Sequence, residues 1–376
     1  LTGGSSGTFI ANAGVLLMIA RRSASLLLQP HAIQASCSSS TVIGVFNPAV
    51  AMVGEELYML ARVAECPAEQ RAGWTPLPRW SSVGEPQADW VRNADLVRTD
   101  ARVVAMARSG DLRLTSVSHL QLFRSTKGGS DVWEFVAAVL PEGPWEEYGI
   151  EDPRVTKIDN TYWITYVAVS RAGAATALMS TTDFVTFHRH GIIFACENKD
   201  VVLFPDRIAG DFVALHRPNP HSQFSPPQIW LASSPDLIHW GRHAFVLEGV
   251  QAWEGDRVGS GTPPILCEEG WLTLYHGSTP SNAAGRVGRY CAGALLLDRD
   301  QPRRVLARST EPIMQPIADY EMSGFVPEVV FPTAMLDRGD EVQVFYGAAD
   351  TCVATARLSK RSVLDSLELQ NQNKLE

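Results

Sequence analysis

The sequence contains no Cys-x-x-Cys pair. Its six cysteines (Cys37, Cys66, Cys196, Cys267, Cys291, Cys352) lie scattered along 376 residues. A structural zinc site and a disulfide framework are therefore not expected, whereas reduced thiols in a cytoplasmic protein are. Long apolar runs are also missing. The one candidate, "AGVLLMIARR" (13–22), is too short to span a bilayer and carries Arg21 and Arg22 behind it, where a signal peptide needs positive charge in front. It reads as an early buried strand or short helix, and no membrane partner is expected. Positive charge is in deficit, with 32 Lys and Arg against 41 Asp and Glu and a net charge of −9. That excludes a general nucleic-acid binder but not a local basic pocket around a small anion. No G-x-S-x-G elbow supports a serine hydrolase. "GSGTPP" (259–264) lacks the G-x-G-x-x-G pattern of a nucleotide cradle. His239 and His243 have H-x-x-x-H spacing without an accompanying Glu, so no metal is expected.

What is present is a repeated phrase: a Gly, Asn or acidic turn, then alternating apolar residues, then a polar exit. It occurs as "GEELYMLARV" (54–63), "DNTYWITYVAVS" (159–170), "GDFVALHRP" (210–218), "EGWLTLYHG" (269–277) and "GDEVQVFYGAAD" (339–350). An apolar segment, usually marked by Pro, precedes each copy. Strand-like pieces opened by Ser-x-x-Asp follow two of them, "STTDFVTFHRHG" (180–191) and "SSPDLIHWGRH" (233–243). The unit reads strand, tight turn, strand, loop, strand, at the spacing of one four-stranded propeller blade. Five copies predict an all-β, five-bladed β-propeller with a central channel; a β-sandwich is the alternative. The propeller is expected over residues 46–360, with an N-terminal segment 1–45 of no assigned role and a C-terminal tail 361–376.

Inner strands of a propeller line its channel, so equivalent positions in the phrases should converge on one site. The exits give Arg62, Tyr166 or Ser170, His216 with Arg217, His276, and Tyr346 with Asp350; Asn47, Asp152, Lys199 and Glu328 lead into the phrases. Some carboxylates among several cations and neutral donors is the composition of a site for a sugar plus an anion.

Seven segments carry a resemblance: "GIEDPRVTKIDNTYWITYVAVS", "ENKDVVLFP", "ALHRP", "IWLASSPDLIHWG", "PPILCEEGWLTLYHG", "GALLLDRDQPRRVLAR" and "VFYGAAD". From about Phe46 to Ala356 the chain resembles glycoside hydrolase family 130, the β-mannoside phosphorylases and related β-mannosidases. The resemblance implies a five-bladed propeller and makes Asp152, the aspartate of the EDPR motif, the catalytic acid. Phosphate would attack the anomeric carbon of a terminal β-mannosyl unit with inversion, and the proton would pass through the mannosyl 3-hydroxyl. The resemblance also implies that Lys199, Arg217 and His276 bind phosphate, with Arg62 and Tyr346 as neighbours. The family's hydrolases lack parts of this basic set, which this chain keeps.

The chemistry of the residues points the same way. An inverting hydrolase needs an acid and a base, whereas phosphate arrives as an anionic nucleophile and needs cations to orient it. No cofactor is expected beyond inorganic phosphate as co-substrate. The partners are a small carbohydrate and phosphate, and a homo-oligomer is compatible with the sequence. Asn47 and Asp350 are expected to bind substrate, Glu151 either sugar hydroxyls or Arg154, and Arg154 either substrate or a neighbouring acid. His276 reads as either a ligand or a core histidine. Trp253 is a candidate for stacking on a sugar. The competing readings are an inverting β-mannosidase with Glu254 or Glu328 as base, and a non-catalytic glycan-binding propeller.

Overall fold

The computed structural model describes residues 21–81, 84–125, 132–219, 224–281 and 287–370. Most of "AGVLLMIARR" therefore lies outside the described residues. Strand β1 (Arg21–Leu28) comes first, followed by the long hairpin β2 (Ser40–Val53) and β3 (Glu56–Pro67). An excursion follows: β4 (Trp74–Trp80) pairs with β5 (Pro86–Arg92), and β6 (Leu96–Arg98), β7 (Val103–Met106) and β8 (Leu112–Leu114) form a small sheet. β9 (Val117–Ser125) and β10 (Glu134–Val139) then return to β3, giving a first antiparallel unit β2-β3-β9-β10.

The second unit is β11 (Gly149–Ile158), β12 (Thr161–Ser170), β13 (Gly173–Thr181) and β14 (His188–Phe194). Its backbone pairs with the first, among the described residues, through one parallel pairing of Gly149 with Ser118. The third unit is β15 (Asn198–Leu203), β16 (Phe212–Pro218), β17 (Ile229–Ser234) and β18 (Gly241–Leu247). The fourth contains β19 (Arg257–Ser260), the short β20 (Ile265–Leu266), β21 (Trp271–Ser278), β22 (Tyr290–Leu297) and β23 (Val305–Ser309). The helical turn α1 (Asp319–Met322) leads into the fifth unit: β24 (Val330–Asp337), β25 (Glu341–Ala348), β26 (Cys352–Ser359) and, across the sheet edge, β1. Helix α2 (Lys360–Asp365) and β27 (Leu367–Leu369), which pairs with β23, end the described chain.

Each of the five phrases forms the second strand of a unit, and its turn residues carry the left-handed backbone of a tight hairpin: Gly54 (φ 63°), Asp159 (54°), Gly210 (92°), Gly270 (147°) and Gly339 (78°). The Ser-x-x-Asp pieces are Asx turns. Asp183 accepts from the amides of Val185 and Thr186, and Asp236 from those of Ile238 and His239. Two boundaries differ from the sequence reading. β1 and the start of β2 lie ahead of Phe46, and β27 lies beyond residue 360, because edge strands carry only a weak periodic signal.

The apolar core is distributed between neighbouring units rather than gathered in one place. Leu60, Leu122, Ile164 and Met179 pack between the first and second units, and Leu178, Leu203, Phe212 and Ala214 between the second and third. Val202, Leu215, Leu274, Leu295, Val344 and Phe345 continue this pattern through the fourth and fifth units and back to Met59 and Val63 of the first. The units touch one another in the same succession, through their first strands except at the fourth unit. β2 packs on β11, β11 on β15, β15 on β19, β21 and β22 on β24, and β24 on β2.

Candidate active site

One cavity of ≈ 230 Å³ is lined by side chains from all five units and from the excursion after β3. It is smaller than the roughly 300–1,000 Å³ typical of drug-sized sites, which suits one sugar unit and a small anion. Local backbone breaks place its key side chains. The first strands of three units lose register at the cavity, between Phe46 and Ala49, between Glu151 and Arg154, and between Lys199 and Val202. At each bulge one residue is left-handed: Asn47 (φ 48°), Asp152 (48°) and Asp200 (55°). Such a backbone costs a non-glycine residue roughly 1–2 kcal/mol, least for Asn and Asp, and bulges commonly re-aim side chains beside active sites.

Asp152 is held by the first unit. Its Oδ1 accepts from Asn47 Nδ2 at 2.9 Å and from Arg62 Nη1 at 3.0 Å. Arg62 also donates to Glu151 (2.7 Å) and to Ser118 Oγ (2.9 Å) while lying over the Phe46 ring. Burial alone would raise the Asp152 pKa, but the charges of Arg62 first, then Arg154, with the Asn47 hydrogen bond and Lys199, outweigh it and bring Asp152 down to about 2. In the free protein it is a carboxylate. Gly347 leaves room for this cluster, since a Cβ there would strike Asn47 Oδ1.

A second cluster comes from the third and fourth units. Lys199 and Arg217 are cross-strand partners on β15 and β16. Arg217 Nη1 stands 3.2 Å from Asp200 Oδ2 and 3.4 Å from His276 Nε2, and His276 Nε2 is 3.5 Å from the same carboxylate oxygen. His276 is fully buried against the Phe331 ring, and burial foremost pushes it down to about 3 despite Asp200, so it is a neutral imidazole. Gly259 on β19 is bare because a Cβ would collide with Asp200 and the His276 ring. Lys199 lines the cavity and makes no hydrogen bond or ion pair among the described residues. Asp350, left-handed at φ 47°, closes the opposite flank. Burial raises its pKa to about 6; Arg102 and Arg62 pull it back, and Asp152 and Glu151 add repulsion.

The cavity thus gathers Asn47, Arg62, Glu151, Asp152, Lys199, Arg217, His276 and Asp350. It does not gather Arg154 or Tyr346. Arg154 is 1% exposed and works as a strut behind the wall, donating to the carbonyls of Gly261 (2.6 Å) and Asp152 (2.9 Å). Of its two readings, substrate contact gives way to a structural role, although its charge still acts on Asp152 and Asp200. Tyr346 is wholly buried and donates to Glu321 at 2.7 Å. This contact recurs: Tyr166 donates to Glu146, which also holds Arg189, and Tyr275 donates to Glu254, which also holds Arg308. In these units a glutamate before the first strand clasps a tyrosine on the second.

Glu254 is therefore locked in a clasp and Glu328 lies outside the cavity lining, so neither is placed to activate water. Trp253 is buried against Tyr275 with its indole N–H on Thr310 O, outside the cavity lining. Sequence reasoning missed Asp200, Arg102, Arg257 and Tyr290, all of which line the cavity. Asp200 had a legible signal, since it occupies in "NKDVV" the place of Asn47 in "FNPAV" and Asp152 in "EDPRV". Arg102, anchored to Asp100 (3.0 Å), comes from the excursion, where no repeat position marks it.

The chain is similar to known proteins over most of its length. The glycoside hydrolase 130 family model, described as β-1,4-mannooligosaccharide phosphorylase, matches residues 91–369. The chain is 40% identical to a β-1,2-mannobiose phosphorylase of Listeria innocua over 88% of this chain and 92% of that protein. It is 36% identical to a β-1,4-mannooligosaccharide phosphorylase of Ruminococcus albus over 57% of this chain and 64% of that protein. The solved Listeria innocua β-1,2-mannobiose phosphorylase, in complex with β-1,2-mannobiose, superposes with a TM-score of 0.84 at 36% identity, covering 90% of this chain and 96% of that one. The chain belongs to glycoside hydrolase family 130.

Proposed function

We infer that the chain is an inverting β-mannoside phosphorylase, converting a β-mannoside and phosphate to α-mannose 1-phosphate and the released acceptor. The observation that carries this reading is the pairing, in one small cavity, of the well-held carboxylate Asp152 with Lys199, a cation without a partner among the described residues, beside Arg217. Phosphate binds at Lys199, Arg217 and the neutral donor His276, with Arg62 as a neighbour, and its oxygen attacks the anomeric carbon from the side opposite the leaving group. The glycosidic C–O bond breaks while Asp152 gives its proton, through the mannosyl 3-hydroxyl, to the departing oxygen. Asn47, Glu151 and Asp350 face the sugar.

Asp152 must hold a proton for this step, yet the free site keeps it ionised. Phosphate supplies the change. Its negative charge offsets the cations that depress Asp152 and so raises the carboxyl's proton affinity only when the nucleophile is in place. In the reverse direction the carboxylate is the base. The five four-stranded units form a five-bladed propeller around the cavity, with β1 closing the ring onto the last blade; the interleaved cores and the succession of contacts from unit to unit support this.

Among linkages, β-1,2 is favoured, because the relative matched over 92% of its length acts on β-1,2-mannobiose. The test is to incubate the protein with β-1,2- and β-1,4-mannobiose, with and without phosphate, and assay mannose 1-phosphate. Formation only with phosphate, and faster from the β-1,2 sugar, is expected. Free mannose released at the same rate without phosphate would overturn the reading.

A further inference from the structure

The third unit lacks the tyrosine–glutamate clasp. At the position of Tyr166, Tyr275 and Tyr346 it carries His216, and on its outer strand His243 stands where the second and fourth units have Arg189 and Arg308. The two histidines satisfy each other. His216 Nδ1 lies 3.0 Å from Asn198 Nδ2 and its Nε2 lies 3.1 Å from His243 Nδ1. Burial first, then His243, pushes His216 down to about 3, so the ring is neutral; with Asn198 Nδ2 donating to its Nδ1, its Nε2 donates to His243. With no glutamate between them, a cavity of ≈ 470 Å³ opens toward solvent between the second and third units.

Its lining is aromatic and uncharged. The Phe194 ring stacks on His216 at 4.8 Å and meets Trp240 at 5.4 Å, and Trp230 is the cross-strand partner of His216. No Asp, Glu, Lys or Arg lines it among the described residues. Asn198 faces this cavity, is 6% exposed, and leaves its amide Oδ1 without a hydrogen-bond partner. Turning the amide round would instead orphan its Nδ2, so one polar atom there is left unpaired whichever way it is set. Aromatic faces with an amide and a neutral imidazole suit the apolar C–H face and hydroxyls of an uncharged sugar. They offer no cation to phosphate or a carboxylate.

We propose that this groove, lined by Phe194, Asn198, His216, Trp230, Trp240 and His243, is a second carbohydrate-binding site that takes a neutral mannosyl unit. The choice of mannose among neutral sugars rests on the phosphorylase reading; the sugar class rests on the groove alone. The site backs directly on the catalytic cavity, because Asn198 and His216 precede Lys199 and Arg217 on the same two strands.

The experiment is a calorimetric titration of β-1,2-mannobiose into the Asp152→Asn protein without phosphate, repeated in that background with Trp240→Ala and, separately, with His243→Ala, whose side chain is exposed. Two sugars per chain are expected in the parent, falling to one in Trp240→Ala, with the second site weakened in His243→Ala. The same two variants made with Asp152 intact should phosphorolyse mannobiose at wild-type kcat/KM, which also shows that they fold. Equal stoichiometry in parent and Trp240→Ala, or a mannobiose-soaked crystal with sugar only in the central cavity, would overturn the proposal. Failure of the phosphorylase reading is read separately, as no mannose 1-phosphate from any of these proteins.

Discussion

The two walls of the central cavity handle charge in opposite ways. On the wall built by the first and second units, Arg62 is divided between Asp152, Glu151 and Ser118, and Asn47 completes the acid's shell. Every formal charge there has a protein partner. On the wall built by the third and fourth units, Arg217 shares Asp200 with a neutral His276, and Lys199 has no partner among the described residues. The first wall is saturated and, in the free protein, holds Asp152 in its ionised form. The second keeps a surplus of positive charge for a ligand to neutralise. A cation already spent on a carboxylate positions, while an unspent one binds.

The comparison is broken most severely at the saturated wall. Asp152→Asn keeps the shape and removes the transferable proton, so activity should fall on the order of 10²- to 10⁴-fold in phosphorolysis and in synthesis alike. Initial rates in both directions, with thermal melting to confirm the fold, measure it. Near-normal rates would mean that the acid lies elsewhere.

At the unsaturated wall, Lys199→Ala or Arg217→Ala should raise the half-saturating phosphate concentration far more than that for mannobiose. Each lost charge-assisted contact is worth about 1.5–3 kcal/mol, roughly 10- to 150-fold in affinity. The two need not respond equally. Removing Lys199 takes away a free charge, whereas removing Arg217 also strands Asp200, so only the second should lower the melting temperature appreciably. Equal destabilisation with unchanged phosphate dependence in both would erase the distinction between the walls.

Asp350 tests the boundary between them. Its folded pKa, up to about 6, exceeds the ordinary unfolded value of about 3.9. The folded state therefore binds the proton more tightly than the unfolded state. The stability this confers is fully present below about pH 4 and is lost as pH rises through about 6. Asp350→Asn should remove that slope and be the more stable protein at pH 7.5, by roughly 1–3 kcal/mol once cavity water is allowed for. Denaturant melts from pH 4 to 8 give the answer, and parallel curves for the two proteins would contradict it.

How far the sequence could be read follows from periodicity. The five hairpins were legible because each joins a turn residue of special backbone to an alternating run, and both signals are local. That Asp152, Lys199, Arg217 and His276 line one cavity was legible from their places in or just ahead of the phrases, although Lys199 stands one residue before the place that Asp200 shares with Asn47 and Asp152. The failures are also periodic. Within a strand, adjacent side chains point to opposite faces, so a one-residue error at the phrase exit exchanges wall for core. Arg62, Arg217, His276 and Gly347 form the inward series, and the residues just before them, Ala61, His216, Tyr275 and Tyr346, form the outward one. Choosing Tyr346 took the wrong face. Arg154 was ambiguous because a strut and a substrate ligand are the same residue until its neighbours are known. Arg102 had no signal, since the excursion that carries it obeys no repeat.

The smallest effect belongs to that misplaced tyrosine. Tyr346→Phe removes one hydroxyl that donates to the buried Glu321, whose other oxygen is still held by the amides of Ile317 and Ala318. A hydrogen bond to a buried carboxylate contributes about 1.5–3 kcal/mol, and the ring, with its packing, is retained. The protein should melt a few degrees lower, while its half-saturating phosphate concentration stays at the wild-type value. Tyr275→Phe, in the matching clasp with Glu254 and Arg308, should behave the same way, because the two residues do one job in different units. If Tyr346→Phe instead weakened phosphate and Tyr275→Phe did not, the hydroxyl would have to reach the cavity, and the division of each second strand into an inward and an outward series would fail at the fifth unit.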